Sequence, residues 1–167
     1  MAKDKELKTN AMRILEKQKI TYKVHTYACT EFIDGITIAD MLGQPHEITY
    51  KTLVTIGKSK SYYVFVIPIE KEIDLKKAAR AASEKSIEMI HVKDINTITG
   101  YIRGGCTAIG MKKQYSTFVD HSCEQIERMI VSGGKLGVQL ELDVKDYLKA
   151  CKGKIADVCE VSEYESD

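Results

Sequence analysis

Residues 62–69, YYVFVIPI, form the longest apolar run in the chain. It is apolar at successive positions, so a strand built from it is apolar on both faces and belongs at the centre of a sheet. It falls far short of the roughly 18 apolar residues that cross a bilayer as a helix. Pro68 has no N–H to give a ladder and is expected near the strand end. Residues 48–56, just upstream, alternate instead. Ile48, Tyr50, Thr52, Val54 and Ile56 share one face, and Lys51 and Leu53 share the other.

The remaining segments add helices at irregular intervals. Leu7, Ala11, Ile14 and Leu15 have helical spacing, which predicts a helix over residues 5–18. Residues 20–27 alternate as a strand, with Ile20, Tyr22 and Val24 on one face and Lys23, His25 and Tyr27 on the other. A short helix over 36–42 ends at Gly43, and Asp74 is an N-cap for a helix through Leu75, Ala78, Ala79 and Ala82. Short strands are expected at 87–91, 117–120 and 128–132, with a small helix over 123–127. Gly133-Gly134 turns the chain into a strand over 136–142. Asp143, with Asp146 three residues on, caps a last helix to Lys152. Residues 100–110, with four glycines, read as a strand interrupted by a tight loop. Regular βαβ alternation is missing. The class is therefore α+β: a single domain with a mixed β-barrel or sheet and flanking helices.

Length and charge fit that class. The chain has 167 residues, 44% hydrophobic and 29% charged, which is one ordinary globular domain. The first ten residues carry charge with no apolar stretch behind them, so no secretory signal is expected. Five of the 24 acids fall in residues 155–167, which hold no base. The other 154 residues keep 25 bases and 19 acids, a charge of +6. That permits a nucleic-acid partner without demanding one. Five cysteines without a CxxC pair point to reduced thiols in the cytoplasm. His121 and Cys123 are the one close His/Cys pair and complete no zinc set, so no metal is expected.

Three features could carry chemistry. Lys51 sits in mid-strand among residues that want burial. It reads either as an edge or snorkelling lysine or as a cation aimed from a pocket at an anionic group. Gly104-Gly105-Cys106-Thr107-Ala108-Ile109-Gly110 reads either as a tight turn or as a loop whose N–H groups hold an anion. Cys106 is a nucleophile candidate with no base beside it in sequence. Ser132-Gly133-Gly134-Lys135 reads as a hairpin turn with a lysine. Lys112 and Lys113 suit backbone phosphates, and Tyr27 and His25 could reach a pocket.

The order YKTLV, GYIRGGCTAIGMKK, VSGGKLGVQLEL resembles the YbaK (also EbsC) family of aminoacyl-tRNA deacylases. The segments KITYKVHTY and LKKAARA match the same layout, so the likeness runs from residue 5 to 158. It implies an editing domain over residues 1–158 and an acidic tail over 159–167, akin to the editing domain of bacterial prolyl-tRNA synthetases. It implies deacylation in trans of mischarged tRNA, most typically cysteinyl-tRNA(Pro), near prolyl-tRNA synthetase, with no cofactor, membrane or DNA partner.

By the same resemblance, Lys51 fixes the tRNA 3′ end through phosphate or ribose. Tyr27 is a pocket residue. Gly104 and Gly105 hold the amino acid and polarise the ester carbonyl. Thr107, Ala108, Ile109, Gly110, Lys112 and Lys135 fall within the substrate-binding segments. The family's cysteine-specific members are expected to let the substrate thiol attack its own ester, which needs positioning more than a protein nucleophile. This chain departs from the family at three places. Ala108 stands where a Pro is usual, Leu136 where an Arg is common, and Gln139 near an Asp of some members. Deacylation of another small amino acid, alanine or serine, and a non-catalytic tRNA- or synthetase-binding module are the competing expectations.

Overall fold

The computed structural model describes residues 8–161. The run that opened the sequence reading forms β3 (Tyr62–Pro68), antiparallel to β2 (Tyr50–Gly57) with Lys51 opposite Ile67. Its other edge pairs in parallel with β5 (Ser116–Asp120). β4 (Ile87–Met89) and β8 (Lys154–Ala156) complete a five-stranded sheet in the order β4-β2-β3-β5-β8. β3 is central, and Pro68 is its last residue. Val64 and Val66 face one core, Phe65 and Ile67 the other, and all four are fully buried.

The second sheet has three strands. β1 (Lys23–Thr26), β7 (Val138–Asp143) and β6 (Arg128–Ser132) are antiparallel in the order β1-β7-β6. Its inner residues Met129, Val131, Leu140 and Leu142 share the larger core with Tyr50, Val64, Val66 and Val119. Helices α1 (Asn10–Lys17) and α5 (Val144–Cys151) add Ala11, Leu15 and Tyr147 to it. Helix α3 (Leu75–Ala82) covers the opposite face of the five-stranded sheet with Ala78 and Ala79. The two sheets meet at a bridge between Thr49 and Ile130 and do not close into a barrel. The α+β class holds, with two open sheets in place of a barrel.

Local expectations hold where a cap or a period fixes them. Helix α2 (Gly35–Leu42) ends at Gly43, which adopts the left-handed φ of 65°. The Asp74 carboxylate accepts from Lys76 and Lys77 N, capping α3. Other segments need correction. Helix α1 starts only at Asn10, because Thr9 Oγ1 accepts from Met12 N at 3.2 Å and caps it there; residues 5–7 of the expected helix lie outside the described residues. The first strand keeps only four of its eight expected residues. Val24 is exposed, because β1 is an edge strand. Residues 100–110 are turns rather than a strand and follow helix α4 (Ile95–Thr99), which the sequence reading did not foresee. Asp143 makes no side-chain cap; Arg128 takes its carboxylate at 3.0 Å. β8 was also missed.

The body continues past residue 158. Cys159 is buried and bridges to Ile73, and Glu160 N donates to Glu72 O at 2.9 Å. Residues 162–167 of the acidic tail lie outside the described residues.

Candidate functional site

The outer edge of β2 is paired at both ends and open between. Thr49 bridges to β6, and residues 55–57 pair with β4, with Ile90 N donating to Val54 O at 3.3 Å. Residues 51–53 have no strand against that edge among the described residues. A cavity of about 480 Å³ opens at this gap, and six successive residues, 49–54, line it. That volume lies in the range of small-molecule sites. Its walls are largely apolar, including Ile33, Ile38, Leu53 and Ile69.

Lys51 lies at the centre of the gap. Its side chain is 30% exposed, and its nearest carboxylate, Glu72, stands 4.0 Å away and is itself 77% exposed. So loose an ion pair leaves the ammonium able to take an anionic or hydroxylic ligand. Tyr27 also lines the cavity, and burial raises its phenol pKa, so it stays a neutral donor. Its backbone N–H donates to Gly137 O at 3.0 Å, which ties the end of β1 to the start of β7.

The two glycine-rich segments pack on each other. A Cβ on Gly105 would stand 2.6 Å from Lys135 Cα, and one on Gly104 would stand 2.7 Å from Leu136. Gly104 also has a φ of +89°, a conformation that glycine adopts without steric cost. Gly104 lines the cavity, and its carbonyl accepts from Ser132 Oγ at 3.3 Å. The Gly105 N–H donates to Ile102 O at 3.0 Å, so it is committed to a turn rather than aimed at a ligand. Cys106 lines the cavity at 8% exposure. Burial pushes its thiol pKa up to about 11, so it is protonated at neutral pH.

The rest of the segment turns away from the cavity. Thr107 is fully buried and accepts from Ile109 N at 3.5 Å, while Ala108 and Ile109 belong to the main core. Gly110 O accepts from Asn10 Nδ2 at 2.9 Å, which anchors helix α1. Lys112 Nζ donates to Thr97 O at 3.1 Å. Lys135 contributes its backbone as the surface that Gly105 packs against. The cavity thus brings together Tyr27, Lys51, Gly104 and Cys106. Residues 107–110, Lys112 and Lys135 do not line it; they support it.

Several cavity residues escaped the sequence reading. The Arg103 guanidinium lies 3.8 Å above the Phe32 ring centre, a cation–π contact at the wall. Asp34 and Glu72 also line it, as do Ser132 and Gln139, which the sequence had brought forward within the second glycine segment and as a family departure. Arg103 directly precedes the glycine pair, which is the one local signal that pointed to it. Among the described residues, Asp120, His121 and Asp157 converge closely enough to suggest a cation site. Lys77 Nζ already lies 3.1 Å from Asp157, and Ser122 N and Val158 N donate to Asp120, so the group is satisfied internally.

A mixed two-sheet domain with a lysine at a gap in one sheet edge, in a cavity that a glycine turn also lines, has the build of a small-ligand site. Residues 36–150 match the model of the aminoacyl-tRNA editing domain, and the chain belongs to that family. It is 44% identical over 160 residues to a protein of Enterococcus faecalis named "Putative Cys-tRNA(Pro)/Cys-tRNA(Cys) deacylase EbsC", covering 95% of this chain and 98% of that one. The fold is shared with a crystal structure described as "a putative trans-editing enzyme for prolyl tRNA synthetase". That match has a TM-score of 0.76 at 19% identity and covers 91% of this chain and 98% of the other. A crystal structure of a hypothetical protein matches with a TM-score of 0.80 at 20% identity, covering 89% and 97%.

Proposed function

We propose that this chain deacylates mischarged tRNA in trans, with cysteinyl-tRNA(Pro) as its substrate. Family membership and the 44% identical relative support the reaction class. The observation that carries the reading is Lys51 at the open edge of β2, in a cavity that Gly104 also lines. A terminal adenosine with its ester fits a cavity of this size, and Lys51 would grip its phosphate or ribose oxygens.

The cavity favours chemistry supplied by the substrate. Cys106 holds its proton at neutral pH, and among the described residues its thiol donates to the Thr99 hydroxyl at 3.9 Å, which is no base. The substrate thiol would attack the ester carbonyl carbon. The bond from that carbon to the ribose oxygen breaks, the ribose oxygen takes the thiol proton, and the amino acid leaves as a thiolactone. The protein's part is to hold thiol and carbonyl in attacking geometry. Editing of this kind serves where a synthetase cannot reject a similar-sized amino acid by binding alone. Prolyl-tRNA synthetase is the expected neighbour and the cytoplasm the expected compartment. Among the described residues no helix is long and apolar enough to cross a membrane.

The test is single-turnover deacylation of cysteinyl-, alanyl- and seryl-tRNA(Pro) by the wild type and by Lys51→Ala. Cysteine should be released, and Lys51→Ala should slow release on the order of 100-fold while its circular dichroism is unchanged. Equal turnover by the variant would remove Lys51 from the site. Release of alanine or serine in place of cysteine would move the substrate assignment. No release at all, with capture by prolyl-tRNA synthetase, would make the chain a binding module.

A further inference from the structure

One wall of the cavity carries no charge. Gln139, on β7, is 6% exposed and lines the cavity. Its Oε1 accepts from Gln44 Nε2 at 2.7 Å, just past the end of α2. Gln44 Oε1 is buried with no hydrogen-bond partner. Oε1 of Gln139 is turned toward Gln44, and Nε2, a donor, is the end of the amide without a partner among the described residues.

Both carboxylates lining the cavity have a partner, and His25, opposite Gln139 in register, lies 2.7 Å from Glu141 Oε1. Asp34 accepts from Thr37 N at 3.1 Å and Thr37 Oγ1 at 2.7 Å, and Glu72 is mostly exposed beside Lys51. The lining cations are Lys51 and Arg103. An aminoacyl ester brings one group that titrates near neutrality, its α-amine, with a pKa of about 8. The uncharged amine has a lone pair that accepts from an N–H. The ammonium has only donors, so it would meet Nε2 donor to donor, in a cavity that also holds the like charges of Lys51 and Arg103.

We propose that Gln139 contacts the α-amine of the aminoacyl group and selects its uncharged form, with Gln44 as the positioning residue that turns the Gln139 amide. This rests on the deacylase reading for its ligand. It also accounts for the buried Gln44 Oε1. An unsatisfied buried acceptor costs stability, and here Gln44 holds the Gln139 amide in one orientation.

The test is binding of 3′-deoxy-3′-(alanylamino)adenosine, whose amide resists hydrolysis and whose one titrating group near neutrality is the α-amine. Its Kd would be measured from pH 6.0 to 8.5 for wild type, Gln139→Glu and Gln44→Glu. Wild type should bind at least tenfold tighter at pH 8.5 than at pH 6.0. Gln139→Glu should reverse that preference, because a carboxylate binds the ammonium. Gln44→Glu leaves Gln139 in place but offers only acceptors, so it draws Nε2 toward itself and turns Oε1 to the cavity. It should also shift binding toward low pH, and it decides the matter if Gln139→Glu loses its fold. A Kd that is independent of pH, or that keeps the same pH dependence in Gln44→Glu, overturns the proposal. Wild-type binding with the expected pH dependence but no deacylation of any mischarged tRNA overturns the deacylase reading alone. No binding at any pH overturns the proposal, and the deacylase reading falls with it only if cysteinyl-tRNA(Pro) is also left intact.

Discussion

At the scale of single residues, Lys51 was legible because a charged side chain inside an apolar strand is chemically out of place. Asp120 was not, because one of its partners, Val158, lies 38 residues along the chain. It is 2% exposed and accepts from Ser122 N at 3.1 Å and Val158 N at 3.3 Å, tying β5 to the chain beyond β8. Burial pushes its pKa up, but the hydrogen bonds from Ser122 and Val158 outweigh burial and hold it below the usual value. Its folded pKa is thus below its unfolded one. The carboxylate's contribution is present above an unfolded pKa of about 3.9 and is lost as pH falls through the folded value. Asp120→Ala leaves both N–H groups without their acceptor and should cost about 2–3 kcal/mol at pH 7, read by urea unfolding. The gap between wild type and variant should narrow below pH 4. A gap that is constant with pH would show that the carboxylate's charge plays no part.

At the scale of elements, helix α2 forms a wall of the cavity, and His46 ties it to the end of β3. His46 Nε2 lies 2.6 Å from Asp40 Oδ1 on α2, and His46 Nδ1 contacts Glu70 just beyond β3. The Glu70 bond and then the Asp40 bond raise the His46 pKa. A raised folded pKa means that the clamp acts fully below the unfolded value of about 6.5 and weakens as pH rises through the folded value. The His46 imidazole resonances should titrate with a midpoint above 6.5. His46→Gln should remove that pH dependence from hydrogen exchange in α2, and a midpoint at or below 6.5 would refute the clamp. Elements were legible where periodicity or a cap defined them, as in β3, α2 and α3. The turns of residues 100–110 and the short strand β8 were not, because their hydrogen bonds go to segments far along the chain.

At the scale of the whole molecule, the thiols report on the packing. Cys106, Cys123, Cys151 and Cys159 are buried, and burial raises all four pKa values. Cys29 is half-exposed and donates to Glu31 O at 2.8 Å. A thiol-titrating reagent at pH 8 should therefore label one cysteine quickly in the native protein and five after denaturation. Two or more fast thiols would contradict the described packing.

Sequence alone determined the α+β class, the central strand, the lysine and the order of motifs that places the chain in its family. Those rest on local chemistry: period, caps, glycine spacing and one misplaced charge. Only the tertiary structure decided where the cavity lies and which motif residues reach it. The gap arises because β6 and β4 pair with the two ends of one β2 edge, and no local pattern encodes that meeting of distant strands. The same packing turns residues 107–109 into the core, commits the Gly105 N–H to a turn, and brings Gln44 and Gln139, 95 residues apart, into one hydrogen bond. Contacts of that kind form only when the sheets come together, because each needs a partner that the local chain cannot supply.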